Sequence, residues 1–224
     1  RNVFTSTFRL APTDRSSTNR LGTMLGAVLM GLGLWAMAHE VFVIADWLGI
    51  GGLDPSKLQG AQATLDALQS APPWLVLFAL ALTPAVIEEL CFRGYLFSAL
   101  ATVMTPARVI VFSSLLFGLF HVVTGSVLLL ERFLPTTMMG LFLGWVAWRT
   151  GTVYPGMVLH AVHNGFLNLV AINKDRLGYL GIAEDNTSHL PLTWIVLATV
   201  IALVGIGLVW FTTRQNSLRV EHLT

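Results

Sequence analysis

Six side chains in this sequence have the types and spacing for hydrolytic chemistry. Glu88 and Glu89 are adjacent, and Arg93 follows four residues after Glu89. On a helix Glu89 and Arg93 share a face and neutralise each other. Glu88 then lies about 100° away from Glu89 and needs a partner from another element. His121, His160 and Asn164 are strong polar groups further along the chain, and His160 and Asn164 again share a helix face. If these residues converge, the site holds a carboxylate, two imidazoles and a carboxamide. Such a set activates a water and stabilises an oxyanion. His163 and Asn168 belong to the same stretch, and spacing alone assigns them no role.

All of these groups lie in apolar surroundings. The 224 residues are 54% apolar and only 11% charged, with mean hydropathy +0.71, against about 25% charged for a soluble domain. This is the composition of a polytopic membrane protein. An ionised group at mid-bilayer costs about 2.5–3.5 kcal/mol on insertion scales, so ionisable groups there are functional by default. The net charge of +1 gives no reason to expect a nucleic-acid partner. One cysteine, Cys91, excludes an intrachain disulfide and a multi-cysteine metal site. The sequence opens on Arg1 rather than methionine, as expected of a processed or excised piece, and its first twenty residues do not resemble a signal peptide.

The elements that must position the site are helices, and the expected fold is an all-α transmembrane bundle of about six spans with a four-helix catalytic core. Residues 1–20 form a polar N-terminal arm, expected at the surface or disordered. Residues 21–212 form the transmembrane domain, with its core over about 74–170, and 213–224 form a polar tail. The spans are Leu21–Leu48, Trp74 to about Met104 with a kink at Pro84, Ala107–Val123, Thr136–Trp148, Tyr154–Ile172 and Pro191–Phe211. A short amphipathic helix is expected over Pro55–Ser70, and polar connections over 124–135 and 173–190. His39 and Glu40, near the far end of the first span, are expected to be structural. Gly22, Gly26, Gly31, Gly33, Gly140 and Gly144 are expected to permit close helix packing. The basic arm, Arg108, Arg149 and the tail fall on one side, which the positive-inside rule makes cytoplasmic. A bacterial inner membrane is the expected location, with both termini cytoplasmic. Counted at 1.5 Å per residue, His121 lies deeper than Glu88 and His160, a tension that tilt or a displaced helix has to resolve.

Glu88-Glu89-x-x-x-Arg93, then Phe117-x-x-x-His121, then His160-x-x-x-Asn164 resembles the three ordered motifs of the CPBP family. This family comprises the type II CAAX prenyl proteases and the bacteriocin-processing intramembrane proteases, also called Abi. The resemblance covers about Trp74 to Val170. It implies an intramembrane endopeptidase acting on a membrane-associated peptide or protein. In that scheme Glu88 activates water with help from His121. His160 and Asn164 bind the water or a metal, or stabilise the oxyanion. Glu89 and Arg93 hold the first motif's geometry or help anchor substrate. A divalent metal such as zinc, if bound, would be held by Glu88, His121 and His160, although the sequence has no HExxH. Two other readings compete: a non-catalytic membrane module for peptide binding, immunity or part of a larger transporter, and an ion or proton transporter. The last needs a polar path, and the sixth span has no residues to line one.

Overall fold

The structure, a computed structural model, describes residues 3–10, 17–49, 63, 66–124, 132–178 and 188–220. Among them the chain is helical, with no strand. The helices are α1 (Val3–Thr7), α2 (Ser17–Trp47), α3 (Pro73–Leu100), α4 (Pro106–Thr124), α5 (Phe133–Thr150), α6 (Tyr154–Ile172), α7 (Lys174–Leu177) and α8 (Leu192–Val220). The expected amphipathic helix over Pro55–Ser70 lies mostly outside the described residues, which show a helical turn at 66–70. Most of the connection 124–135 also lies outside them, as do residues 179–187 and the last four of the tail. The last span does not stop at Phe211, because α8 continues to Val220.

Six helices reach membrane-spanning length, and four of them, α2, α3, α4 and α8, are also apolar enough throughout to cross a bilayer. The chain is an integral membrane protein with an all-α bundle fold. α5 and α6 are diluted by polar residues: Thr136, Thr137 and Arg149 in one, His160, His163, Asn164 and Asn168 in the other. These two helices sit inside the bundle. α2 packs against α8, α6 and α5, α4 packs on α5, and α3 packs on α6. Ala27, Met30, Leu34, Phe117, Leu143 and Leu159 fill the core between them. The outer faces of α3, α4 and α8 expose Phe78, Ile87, Phe112, Leu119, Leu203 and Phe211, as lipid-facing surfaces do. α2 and α8 meet backbone to backbone: a Cβ on Gly26 would fall 2.8 Å from the Gly205 carbonyl oxygen, so a larger residue would force the helices apart. The other glycines expected at contacts likewise face a neighbouring helix.

Pro84, where a kink is expected, follows a widened turn of α3. Thr83 N–H donates to the Phe78 carbonyl five residues back, and Phe78–Leu82 is a π-helical turn. This widened turn lies immediately before Pro84, where the proline's missing N–H and ring would break a regular ladder. Thr83 Oγ1 also donates to Phe78 O, at 2.8 Å. A second π stretch, Leu90–Leu96, carries Arg93. Such turns inside α-helices are frequent at functional sites.

Contacts at the two ends close the bundle. At one end Glu40 accepts from His189 (2.6 Å) and from the Leu190 N–H (2.9 Å), and His39 Nε2 donates to Ser188 O, the structural role expected of both. At the other end Arg149 donates to Thr213 Oγ1 and Trp210 O and stacks on the Trp210 ring, which ties α5 to α8. The N-terminal arm packs at this same end. Arg9 donates to Ala147 O at 2.9 Å and lies over the Phe97 ring, so residues 3–10 are not a free surface arm. Burial draws the Arg9 guanidinium below its usual range.

Candidate active site

The site is built by α3, α4, α5 and α6. Glu89 and Arg93 are fully buried and paired, with Nη1–Oε1 at 2.9 Å across one turn. Arg93 also donates through Nη2 to Gly140 O on α5, at 3.2 Å, and lies 4.2 Å over the Phe117 ring. A buried arginine needs this many partners to offset its desolvation. Glu89 Oε2 sits against Gly156 at the start of α6, where a Cβ would come within 2.9 Å of it. Only glycine leaves that space.

Glu88 points away from this pair, as its position on the helix requires. Its Oε2 stands 3.8 Å from His121 Nε2 and 3.9 Å from His160 Nε2. That oxygen is buried and has no hydrogen-bond partner among the described residues. The depth difference counted along the helices does not keep His121 and His160 apart. Both imidazoles reach the same carboxylate oxygen.

The imidazole protons follow from their partners. His121 Nδ1 lies 2.9 Å from Phe117 O. A carbonyl only accepts, so Nδ1 carries the proton. His160 Nδ1 lies 3.2 Å from Glu89 Oε1, a carboxylate oxygen already paired with Arg93, and it too carries the proton. In the neutral state each Nε2 therefore turns a lone pair toward Glu88. Three acceptors converge, and a neutral imidazole here offers no N–H to an oxyanion through Nε2. Phe117 holds the group from behind, with its ring edge-on to His121 at 4.5 Å and to His160 at 5.8 Å.

These donor types are ones zinc accepts, and each imidazole has the second partner typical of a metal ligand. The spacing is less suitable. Ligands at about 2.0–2.1 Å from a tetrahedral ion stand about 3.4 Å apart, and among the described residues no three His, Cys, Asp or Glu side chains form a group that could hold a metal ion.

Asn164 is half-buried one turn beyond His160, and its carbonyl oxygen accepts from Asn168. Its carboxamide makes none of the contacts described above. His163 is buried on another side of α6, against the Gly31 backbone of α2, and is not among the contacts of Glu88. Gly140, Gly156 and the role of Phe117 go beyond what spacing showed. Backbone acceptors and notches have no residue-type signature, and Phe117 was marked only by standing four residues before His121.

Residues 70–166 match the model of a family described as type II CAAX prenyl endopeptidase Rce1-like. Over that stretch, less than half of the chain, the sequence is similar to this CAAX protease family. No curated protein and no solved structure matches the chain. The Rce1-like stretch contains all six residues that the sequence singles out, together with Phe117, Gly140 and Gly156. α2, α8 and the N-terminal segment lie outside it.

Proposed function

We propose that this protein is an intramembrane endopeptidase in which Glu88 activates a water. The observation that carries this reading is the buried, unpartnered Glu88 Oε2 flanked by two imidazole nitrogens at 3.8 and 3.9 Å. A water among these three acceptors can give its two O–H groups to two of them, Glu88 included. Glu88 takes one proton as the water oxygen attacks the scissile carbonyl carbon. Glu88 passes that proton to Nε2 of His121 or His160, and the charge that develops on the carbonyl oxygen meets this imidazolium and Asn164. His121 and His160 donate through Nε2 only when protonated, so the proton gained by the cluster creates the oxyanion donor. As the C–N bond breaks, the same proton passes to the leaving amine.

Glu89 and Arg93 orient His160 and do not meet the substrate. The substrate is a membrane-associated peptide or protein. In this reading the membrane is a bacterial inner membrane with both termini cytoplasmic, and the positive-inside rule supports the cytoplasmic side for the end of the bundle bearing Arg9 and Arg149.

The test is cleavage of a panel of membrane-anchored peptide reporters by the purified protein in liposomes. Cleavage by wild type, lost in Glu88→Gln, is the expected outcome. Peptide binding without turnover by wild type would replace the reading with that of a non-catalytic membrane module. Cleavage unaffected by Glu88→Gln would remove the mechanism.

A further inference from the structure

The N-terminal segment packs against α3, the end of α5 and the turn that leads into α6. Among the described residues Arg9 is the sole non-glycine with positive φ, at 55°. A long side chain in the left-handed region is uncommon and persists where surrounding contacts hold it. Arg9 has such contacts on both sides of its backbone turn. Its guanidinium donates to Ala147 O in the last turns of α5. Its own carbonyl accepts from Val153 N–H (3.3 Å) and Thr152 Oγ1 (2.9 Å), in the turn that starts α6. Tyr154 Oη donates to the next carbonyl, that of Leu10. On the opposite side, the guanidinium lies 4.8 Å over Phe97 of α3. The preceding residue, Phe8, covers Gly94, where a Cβ would stand 3.0 Å from Phe8 O, and its ring meets Tyr95 at 6.2 Å.

These contacts join the two pieces of backbone that carry the site. Gly94 follows Arg93 in the second π stretch. Thr152 to Tyr154 lead into Gly156, which houses Glu89 Oε2, and into His160. We propose that Arg9 is a positioning residue: it clamps the α5–α6 turn to α3 at Phe97, the residue after the second π stretch, and so sets the separation of His160 from Glu88 and Glu89. The geometric part of this inference stands by itself, and its kinetic part rests on the protease reading.

The experiment therefore has two readouts. The natural Cys91, exposed on α3, is spin-labelled together with Leu167→Cys on α6, a position 40% exposed, and the distance distribution is measured in liposomes. Cleavage kinetics are measured in the same preparations without the second cysteine. Arg9→Ala is expected to broaden or shift the distance distribution. It is also expected to lower kcat about tenfold or more, since a misplacement of about 1 Å costs on the order of a hundredfold, while KM stays within about twofold. Arg9→Lys, which keeps the charge over Phe97, is expected to recover part of both effects. Arg9→Gly suits the positive φ and keeps the carbonyl contacts, so it replaces the alanine variant if that one fails to fold.

A distance distribution and a kcat equal to wild type in the variants would overturn the proposal. So would an equal loss of kcat in Arg9→Lys and Arg9→Ala with no change in distance. If wild type cleaves nothing and the distance still shifts in Arg9→Ala, the clamp stands and the protease reading falls.

Discussion

His160 hydrogen-bonds Glu89 through Nδ1, at 3.2 Å, and turns its other nitrogen to Glu88 at 3.9 Å. The two adjacent glutamates thus have separate duties. One fixes the tautomer and direction of the imidazole, and the other faces the space the imidazole looks into. The arrangement follows from helix geometry. Glu89 must lie on Arg93's face, one turn away, and its neighbour is rotated off that face.

The two glutamates therefore respond differently to substitution. Glu88→Gln keeps the volume and loses the base. Cleavage of a liposome-embedded reporter is expected to fall by about 10²–10⁴-fold, the usual scale for a general base. The melting temperature in detergent is expected to move little, because no described hydrogen bond depends on Glu88 Oε2.

Glu89→Ala strands the fully buried Arg93. Removing one member of a buried pair costs about 3–5 kcal/mol, so the variant is expected to unfold much more readily than Glu88→Gln. Replacing Glu89 and Arg93 together by leucine is expected to restore much of that stability and none of the activity, since His160 loses its anchor. Unfolding by a steric trap in bicelles measures the first effect and reporter cleavage the second.

Gly156→Ala places a methyl 2.9 Å from Glu89 Oε2. The carboxylate has to move, and overpacking of this kind costs about 1–3 kcal/mol. A reduced unfolding temperature and a lower kcat are expected together. Gly178→Ala, where a Cβ meets open space, is the control and is expected to change neither.

Phe117→Leu keeps an apolar filler under Arg93 but removes the ring face and the edges toward both imidazoles. A buried cation–π contact is worth about 2 kcal/mol. The variant is expected to fold with lowered stability and to cleave about tenfold more slowly. Wild-type kcat in this variant would show that the ring does not orient the imidazoles.

Because Glu88 Oε2 stands 3.8 and 3.9 Å from the two imidazole nitrogens, wider than ligands on one tetrahedral ion, cleavage is expected to survive prolonged treatment with 1,10-phenanthroline and to be unchanged by added zinc. Loss of activity with the chelator, restored by zinc, would assign Glu88, His121 and His160 to an ion instead of a water.

Much of the site was legible because it rests on side chains at helical spacing. Glu89 with Arg93, and the need of Glu88 for partners on other helices, follow from period 3.6 and the cost of charge in a membrane. The rest depends on backbone. Gly140 O, the Gly156 notch and the carbonyls that receive Arg9 belong to no recognisable pattern. Arg9 sits in a polar segment of the kind that usually stays solvated, and its partner Ala147 is 138 positions away.

The two π stretches of α3 have a consequence for how chains of this kind are compared. A π turn is an α-helix with one residue too many, kept in register by a local bulge. Between Pro73 and Glu88 the chain therefore holds a spare residue at Phe78–Leu82, and beyond Glu89 another within Leu90–Leu96. Losing the first would rotate everything before it by about 100° relative to Glu88 and leave the acid–imidazole cluster intact. A relative lacking that bulge would need a single-residue gap inside a hydrophobic span, where alignments seldom place one. An ungapped alignment would instead shift every lipid-facing position before Thr83 by one.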